Sequence, residues 1–279
     1  IDVSAELERN LVQTGMRAAV IASSPAELAR RLAALKSRLD EGASSKLDFD
    51  DGIFLGNGTT VPRIGFLFPG QGSPAHLDGG MLRRRFDFVR ELYDEVHLPA
   101  ESDGVSTEVA QPAIVTASLA GLRVLNRLGI AASAAVGHSL GEITALHWAG
   151  AFDETALLRI ARVRGKAMAE LGSPTGTMVA IAATAEEVSA LMNGEIVSIV
   201  GFNSPRQTVI AGEAAAVNAL AERAQARGLR ATKLAVSHAF HTPLVAAAAP
   251  VLAQQLSQEA IGGPQRHVVS TVTGEALRP

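Results

Sequence analysis

The sequence predicts an α/β protein in which a small subdomain is inserted into a large lobe built on a parallel sheet. Short apolar runs alternate with segments of helical periodicity from residue 63 onward, which is the pattern of a parallel sheet covered by helices. A G-x-S-x-G pentapeptide lies at the junction of one such run with a helical segment. Residues 176–237 have a strand and helix order of their own, which marks the inserted subdomain.

Composition bounds the class of protein. The 279 residues are 47% apolar and 19% charged, so the chain can bury a substantial core. A net charge of −3, without a basic and aromatic surface pattern, argues against a nucleic-acid partner. The absence of cysteine excludes a disulfide framework and a thiol nucleophile. No apolar stretch is long enough to span a membrane, and we expect a cytoplasmic protein.

Residues 1–62 predict a linker or adaptor lobe without chemistry of its own. Strands are expected at 18–22 and 52–56. The helix between them begins at Ser24, because a serine cap precedes a proline and is followed three residues later by glutamate. Since the chain does not begin with methionine, we expect a piece of a longer polypeptide.

The large lobe is predicted from residues 63–175 and 238–279. Its first strand, at 63–68, ends in the glycine-rich loop Pro69–Ser73, and a second strand precedes the pentapeptide. Helical periodicity indicates helices over residues 80–96, 111–128 and 153–171.

The inserted subdomain is predicted to have the element order β-α-β-β-α-β, which is typical of a ferredoxin-like module. Its strands are expected at 178–182, 197–202, 208–212 and 231–236, and its helices at 184–192 and 214–227. A groove between two such lobes is a natural ligand site.

The pentapeptide Gly137-His138-Ser139-Leu140-Gly141 predicts a nucleophile elbow of the α/β hydrolase type. A strand that turns sharply into a helix exposes the serine hydroxyl, and the glycines avoid clashes with neighbouring backbone. The helix N-terminus would stabilise an oxyanion beside Ser139. Five-residue matches of this kind also arise by chance, so the strand and helix around it carry the prediction.

A serine nucleophile needs a base, and histidine is the usual one. His138 adjoins the serine, but adjacent side chains in an elbow point apart. The segment 237–243, which returns the chain from the subdomain to the large lobe, contains His238 and His241 and supplies the better candidates. These two histidines could also bind a metal ion, although no carboxylate or third histidine accompanies them at ligand spacing.

Five motifs in one order carry a resemblance to a known family. They are Phe68-Pro69-Gly70-Gln71-Gly72-Ser73, Gly137-His138-Ser139-Leu140-Gly141-Glu142, Arg164-Gly165-Lys166-Ala167-Met168, Phe202-Asn203-Ser204-Pro205 and His238-Ala239-Phe240-His241. Together they resemble the acyltransferase domain of type I polyketide synthases, which is similar to malonyl-CoA:acyl-carrier-protein transacylases. The resemblance covers residues 63–279, and residues 1–62 resemble the linker between a ketosynthase and its acyltransferase.

The resemblance implies a role for each matched residue. Ser139 would be the acylated nucleophile, and His241 the general base and then the general acid. The backbone N–H groups of Gln71 and Leu140 would form the oxyanion hole. Arg164 would bind the free carboxylate of a malonyl group, which suits the fork of a guanidinium. It could also be one surface arginine of a basic helix.

The remaining implied site residues surround this pair. His138, Asn203, His238 and Phe240 would contact the substrate, although Asn203 could instead be a turn residue. A backbone carbonyl near Ser270 would orient the histidine. The motifs place no aspartate or glutamate in a triad, so a Ser–His dyad is expected.

The resemblance also implies the substrate and partners. Malonyl-CoA would donate the acyl group and the phosphopantetheine thiol of an acyl carrier protein would accept it, with no cofactor or metal bound by this domain. The ketosynthase of the same polypeptide would be a neighbour, and neither nucleic acid nor a membrane would be a partner. The phenylalanine of the last motif accompanies malonyl rather than methylmalonyl selection in the family.

Two other functions remain open from the sequence. A serine hydrolase acting on acyl thioesters would use the same serine, histidine and oxyanion hole but admit water. A non-catalytic docking lobe of a megasynthase would have no need of Ser139, His241 or Arg164.

Overall fold

The computed structural model describes residues 3–11, 15–58, 62–74, 76–99, 102 and 104–277. The strands of this described part are β1 (Met16–Val20), β2 (Lys46–Asp48), β3 (Ile53–Asn57), β4 (Gly65–Phe68), β5 (Ala134–Gly137), β6 (Gly176–Ile181), β7 (Val197–Ser204), β8 (Gln207–Glu213), β9 (Ala231–Lys233) and β10 (His267–Val269). Its helices are α1 (Val3–Arg9), α2 (Pro25–Asp40), α3 (Gly80–Arg85), α4 (Asp87–Val96), α5 (Thr107–Arg127), α6 (Gly141–Trp148), α7 (Glu154–Leu171), α8 (Ala185–Ser189), α9 (Ala214–Ala226) and α10 (Ala249–Leu256), with a 3-10 helix at Pro243–Ala248.

The chain divides into two compact units, Ile1–Arg63 and Ile64–Pro279. The first contains an antiparallel sheet with strand order β1-β3-β2. Helix α2 begins as predicted, since the Ser24 side chain accepts a hydrogen bond from the backbone N–H of Glu27. A small core of Leu35, Ile53 and Leu55 holds the helix on the sheet.

The second unit contains the parallel sheet, with strand order β10-β5-β4. Its largest core cluster lies among α4, α5 and α7 and includes Leu92, Leu119, Leu157 and Ile160. Because β4, β5 and β10 run in the same direction, the loops that follow them meet at one edge of the sheet. That edge carries the glycine-rich loop and the elbow.

The inserted subdomain has an antiparallel sheet with strand order β7-β8-β6-β9. Helices α8 and α9 belong to it, and its core includes Ile181, Ile210 and Leu220. This is the strand order of a ferredoxin-like module. The predicted fold class, a parallel-sheet α/β lobe with an inserted ferredoxin-like subdomain, is confirmed.

Some predicted bounds were wrong. The helix expected over 80–96 is broken into α3 and α4 at Phe86, whose backbone is extended with φ −124° and ψ 117°. Helix α5 begins at Thr107, ahead of the predicted start at residue 111. It contains Pro112 within its second turn. None of the described helices is both long and apolar enough to cross a membrane.

Candidate active site

Ser139 lies in a sharp turn between β5 and α6. Its φ of 50° is in the left-handed region, which a non-glycine residue adopts only under constraint. A Cβ on Gly137 would overlap the backbone of Gly141, and a Cβ on Gly141 would overlap the carbonyl of Phe68. Both glycines are therefore required for the elbow to pack against the end of β4, as the sequence predicted.

His241 is the histidine that meets this serine. Its Nε2 lies 2.8 Å from Ser139 Oγ, within hydrogen-bond distance. His241 also has a positive φ, 62°. The side chain of Thr242 fixes the backbone beside it by donating to the Ala239 carbonyl at 2.7 Å and accepting from the backbone N–H of Leu244 at 3.2 Å. Ser139 is therefore fixed by the elbow, and His241 by the hydrogen bonds of Thr242 beside it.

The surroundings of His241 favour its neutral form. Although its side chain is exposed at the cleft, desolvation by the protein atoms around the ring lowers its pKa. The positive charge of Arg164 and the ring of His138 lower the pKa further, and the carboxylate of Glu142 raises it. A neutral imidazole at neutral pH can accept the serine proton.

Arg164 is a partly buried cation on α7. Burial lowers the pKa of its guanidinium to about 10, so it remains charged at neutral pH. Its Nη1 donates to Gln111 Oε1 at 2.7 Å. Among the residues that the structure describes, no carboxylate forms an ion pair with it, in contrast to Arg159 on the same helix, which pairs with Glu259 at 2.7 Å. A partly buried charge without a carboxylate partner is suited to an anionic ligand.

A chain of buried side chains connects Arg164 to the glycine-rich loop, and sequence reasoning missed it. Gln111 Nε2 donates to Thr107 Oγ1 at 2.8 Å, and Thr107 Oγ1 donates to Gln71 Oε1 at 2.7 Å. Thr107 and Gln111 are fully buried. Helix α7 comes this close to α5 at Gly165, where a Cβ would lie 2.7 Å from the Thr107 carbonyl. The sequence signal was a pair of polar residues four apart on an otherwise apolar helix face.

The two predicted oxyanion donors lie in the segments that flank the serine. Gln71 belongs to the loop after β4, and this loop approaches the elbow so closely that a Cβ on Gly70 would lie 2.7 Å from the His138 carbonyl. Within the described ranges, neither the backbone N–H of Gln71 nor that of Leu140 donates to a protein acceptor. Both donors are therefore available, and their role in the oxyanion hole stays a prediction.

His138 and Asn203 are brought together at the junction of the large lobe with the subdomain. His138 Nε2 lies 3.1 Å from Asn203 Oδ1, at the end of β7. Both residues are exposed. His138 therefore bonds to the subdomain, and it is His241 that bonds to Ser139.

His238 and Phe240 are buried beside the subdomain sheet. Phe240 packs with Met178, Val209 and Val245, and its ring lies 6.0 Å from that of His238. His238 Nδ1 bonds to Ser237 Oγ at 2.9 Å, and burial lowers its pKa. Their predicted contact with substrate stays a prediction.

Ser270 lies just after β10, at the same sheet edge as the elbow. Its carbonyl accepts from the backbone N–H of Gly274 at 2.9 Å, and its hydroxyl donates to Glu142 Oε1 at 3.3 Å. Among the described residues, the His241 ring makes a single hydrogen bond, and its partner is Ser139 Oγ. Orientation of the imidazole by the Ser270 carbonyl stays a prediction.

No group of three or more histidine, cysteine, aspartate or glutamate side chains suited to a metal ion occurs among the described residues. A cavity of about 400 Å³ lies along β4 and α5, where its wall includes Phe66, Phe68, Ile114 and Leu122. Neither Ser139 nor His241 lines this cavity. The serine–histidine pair is instead accessible from solvent, since His241 is exposed and Ser139 partly exposed.

Comparisons with known proteins agree on one family. A family model described as the acyl transferase domain matches residues 86–278. A phenolphthiocerol synthesis polyketide synthase type I of Mycobacterium bovis is 36% identical over 279 aligned residues, which cover 94% of this chain and 13% of that synthase. The chain thus spans a small part of the length of the curated relatives that it matches.

Two solved structures are similar over most of the chain. The acyltransferase domain of an iterative polyketide synthase in enediyne biosynthesis has a TM-score of 0.80 and 36% identity, covering 99% of this chain and 67% of that one. A malonyl-transacylase solved in complex with a type II polyketide synthase acyl-carrier protein has a TM-score of 0.70 and 35% identity, covering 78% and 77%. With an elbow that presents a serine to a histidine, these matches show that the chain is an acyltransferase and belongs to the acyl transferase domain family.

Proposed function

We propose that this chain transfers a malonyl group from malonyl-CoA to the phosphopantetheine thiol of an acyl carrier protein, through an ester on Ser139. The observation that carries the proposal is the partly buried guanidinium of Arg164, which has no carboxylate partner among the described residues. It lies close enough to His241 to lower the pKa of that histidine, yet no described carboxylate neutralises it. A malonyl carboxylate supplies the missing negative charge while its thioester faces the serine.

The first half-reaction acylates the enzyme. Ser139 Oγ attacks the thioester carbon while His241 Nε2 takes the hydroxyl proton, and the carbonyl oxygen becomes an oxyanion. The free N–H groups of Gln71 and Leu140 stabilise that charge, and one such donor contributes about 3 kcal/mol in a serine enzyme. The carbon–sulfur bond then breaks, and the coenzyme A thiolate takes the proton from the imidazolium.

The second half-reaction runs the same steps in reverse. The phosphopantetheine thiol gives its proton to His241 and attacks the malonyl ester, and the Ser139 oxygen leaves with that proton. Coenzyme A has departed by then, so the kinetics are ping-pong. The site holds no cofactor in this scheme, because the serine and histidine carry all the bond making and proton transfer.

Phe240 supports a preference for malonyl over methylmalonyl. Its ring is held in the packed cluster beside the subdomain sheet, next to His238, whose Nδ1 bonds to Ser237 Oγ. A fixed ring in the motif that contains His241 takes up space that an α-methyl group would need. One methyl group is worth roughly 1–3 kcal/mol, so the preference is expected to be limited. Competition between the two CoA esters for Ser139 measures it, and equal labelling would contradict it.

The carrier protein and a ketosynthase are proposed as partners. The similar malonyl-transacylase was solved with an acyl-carrier protein, and the curated relatives are whole polyketide synthases. His138 and Asn203 are bonded to each other and exposed beside the serine, and we propose that the phosphopantetheine arm approaches Ser139 along this surface.

Intact-mass analysis after incubation with malonyl-CoA, methylmalonyl-CoA or acetyl-CoA tests the proposal. The wild type is expected to gain malonyl in strong preference to acetyl, and Arg164→Ala to lose that preference. Arg159→Ala is the matched control, since it removes an exposed guanidinium from the same helix. Acetyl loading equal to malonyl loading in the wild type would remove the support for a carboxylate clamp.

The exposure of the Ser139–His241 pair to solvent favours a hydrolase as the competing function. His241 is exposed and Ser139 is partly exposed, so water has access to an ester on the serine. A hydrolase would release free malonate at the same rate with or without carrier protein. The transferase is expected to discharge its malonyl group onto the carrier protein much faster than onto water. A docking lobe would gain no acyl mass at all.

A further inference from the structure

Glu142 is a charged residue of the elbow that the proposed mechanism does not use. It follows Gly141 in the first turn of α6 and is partly buried. Its Oε1 accepts from the backbone N–H of Thr271 at 2.7 Å, from Thr271 Oγ1 at 2.8 Å and from Ser270 Oγ at 3.3 Å. Three donors on one carboxylate oxygen form a specific contact between residues 128 or more positions apart in the chain.

The sheet brings these segments together. Strand β10 runs parallel to β5 with Val269 opposite Val136, so the residues after each strand emerge side by side. The turn that follows β10 at residues 270–275 is closed by hydrogen bonds from Ser270 N–H to the Glu275 carbonyl and from Gly274 N–H to the Ser270 carbonyl, both at 2.9 Å. Glu142 therefore bonds to an ordered turn.

The carboxylate of Glu142 also influences the pKa of His241. The groups whose charge faces His241 are Arg164 from α7, His138 from the elbow and Glu142 from α6. The first two oppose a proton on the imidazole and Glu142 favours it. Among the described residues no arginine, lysine or histidine pairs with Glu142, so its negative charge is not cancelled locally.

We propose that Glu142 is a positioning residue, whose carboxylate ties the turn at 270–275 to the nucleophile elbow and keeps a negative charge beside the Ser139–His241 pair. The proposal rests on the proposed acyl transfer at Ser139. During that reaction the imidazole becomes an imidazolium, and a fixed negative charge nearby stabilises this state. Glu142 thus offsets part of the cost of placing the cation Arg164 in the same site.

The test is the rate of acylation of Ser139 as a function of pH, with the thermal midpoint measured in parallel. Glu142→Gln keeps an oxygen acceptor for the turn but removes the charge. We expect a severalfold slower acylation and an acid limb moved to lower pH. Thr271→Val removes one donor and keeps the charge, so its acid limb should match that of the wild type while its thermal midpoint falls. Glu186→Gln, an exposed change in the subdomain, is the control for a lost charge.

An acid limb and plateau rate in Glu142→Gln equal to those of the wild type would overturn the proposal. So would a shifted limb in Thr271→Val, which provides the test if Glu142→Gln does not fold. Failure of the proposed function is recognised separately, because it appears in the wild type as an absence of malonyl loading. An activated ester such as nitrophenyl acetate then replaces malonyl-CoA as the acyl donor, and the comparison of variants is unchanged.

Discussion

The pKa of His241 depends on several charged groups of the site. Burial, Arg164 and His138 all hold its pKa below the ordinary histidine value of 6.5. The base form is therefore favoured at neutral pH, and activity is expected to fall as the pH falls through the lowered pKa. A malonyl carboxylate bound to Arg164 would relieve part of the repulsion and raise the pKa, so the imidazole becomes a stronger base when substrate arrives.

Arg164→Ala is expected to move the acid limb of the reaction to higher pH. Removing the cation removes one of the causes that lower the pKa of His241. The limb is measured with acetyl-CoA, whose acyl group carries no charge and does not need the guanidinium. Arg159→Ala should leave the limb in place, and a shift to lower pH in Arg164→Ala would contradict the assigned charge effect.

Gln111→Glu is expected to weaken the preference for malonyl over acetyl. A carboxylate at this position would pair with the guanidinium 2.7 Å away and occupy the site that malonyl needs. Malonyl loading should fall by roughly tenfold or more, the equivalent of one charge-assisted hydrogen bond of about 1.5–3 kcal/mol. Acetyl loading should fall far less. The neutral change Gln111→Met is the matched control, and an unchanged malonyl-to-acetyl ratio in Gln111→Glu would rule out direct use of Arg164.

Which site residues the sequence reveals depends on whether their role is local. Ser139 and the glycines beside it were predictable because an elbow needs glycine at fixed spacing. Thr107, Gln111 and Glu142 were not, because each acts through a partner on another element that only packing brings near. Polarity on a buried helix face was the one trace that Thr107 and Gln111 left in the sequence, whereas Glu142 stood in the elbow motif without an assigned role.

At the scale of elements, the site depends on how closely α5 and α7 approach. Gly165 permits the contact, since both atoms nearest to an added Cβ belong to the backbone of Thr107 and Glu108. Backbone atoms cannot turn aside as a flexible side chain does. The hydrogen bond from Arg164 to Gln111 spans this same interface.

Gly165→Ala is therefore expected to destabilise the fold by about 1–3 kcal/mol, the usual cost of overpacking. Gly121→Ala, on α5 with open space around its position, should be neutral or stabilising by up to about 1 kcal/mol. Denaturant titration of the two variants measures the difference. Equal stability of Gly165→Ala and the wild type would show that the helices can separate without cost.

Elements were predictable where periodicity is uniform along a segment. The order of the subdomain strands and helices was predicted, as at Thr184, whose side chain accepts from Glu187 N–H in a capping box, but α8 and β9 each end three residues before the predicted bound. The break at Phe86 was missed because its neighbours are all compatible with a helix, and the extended backbone there serves the packing of Phe86 on Phe88 and the core. Tertiary packing overrode local preference at that residue.

In the second unit as a whole, the proposed reaction requires that the inserted subdomain return the chain to the elbow. His241 lies just after the subdomain, and Asn203 reaches back from the end of β7 to His138. The order of the elements predicted this arrangement, because the motif that contains His241 follows the last strand of the insertion. The exact separation of the side chains depends on packing and could not be predicted.

Asn203→Ala is expected to lower kcat/KM for malonyl transfer severalfold with little change in the thermal midpoint. Asn203 is exposed and its contact with His138 joins the two lobes beside the serine, so its loss affects the position of substrate more than the core. Asn218→Ala, an exposed change on α9, is the control. A large fall in thermal midpoint would mean that Asn203 has a structural role instead.

The proposed reaction passes one acyl group through the hydroxyl of Ser139. The most direct measurement is peptide mass mapping of the wild type and of Ser139→Ala after brief exposure to malonyl-CoA, followed by addition of a carrier protein that bears its phosphopantetheine arm. We expect a single malonyl group on the peptide that contains Ser139, no label on the variant, and loss of the label to the carrier. An unlabelled wild type, or a malonyl group on another residue, would contradict the account.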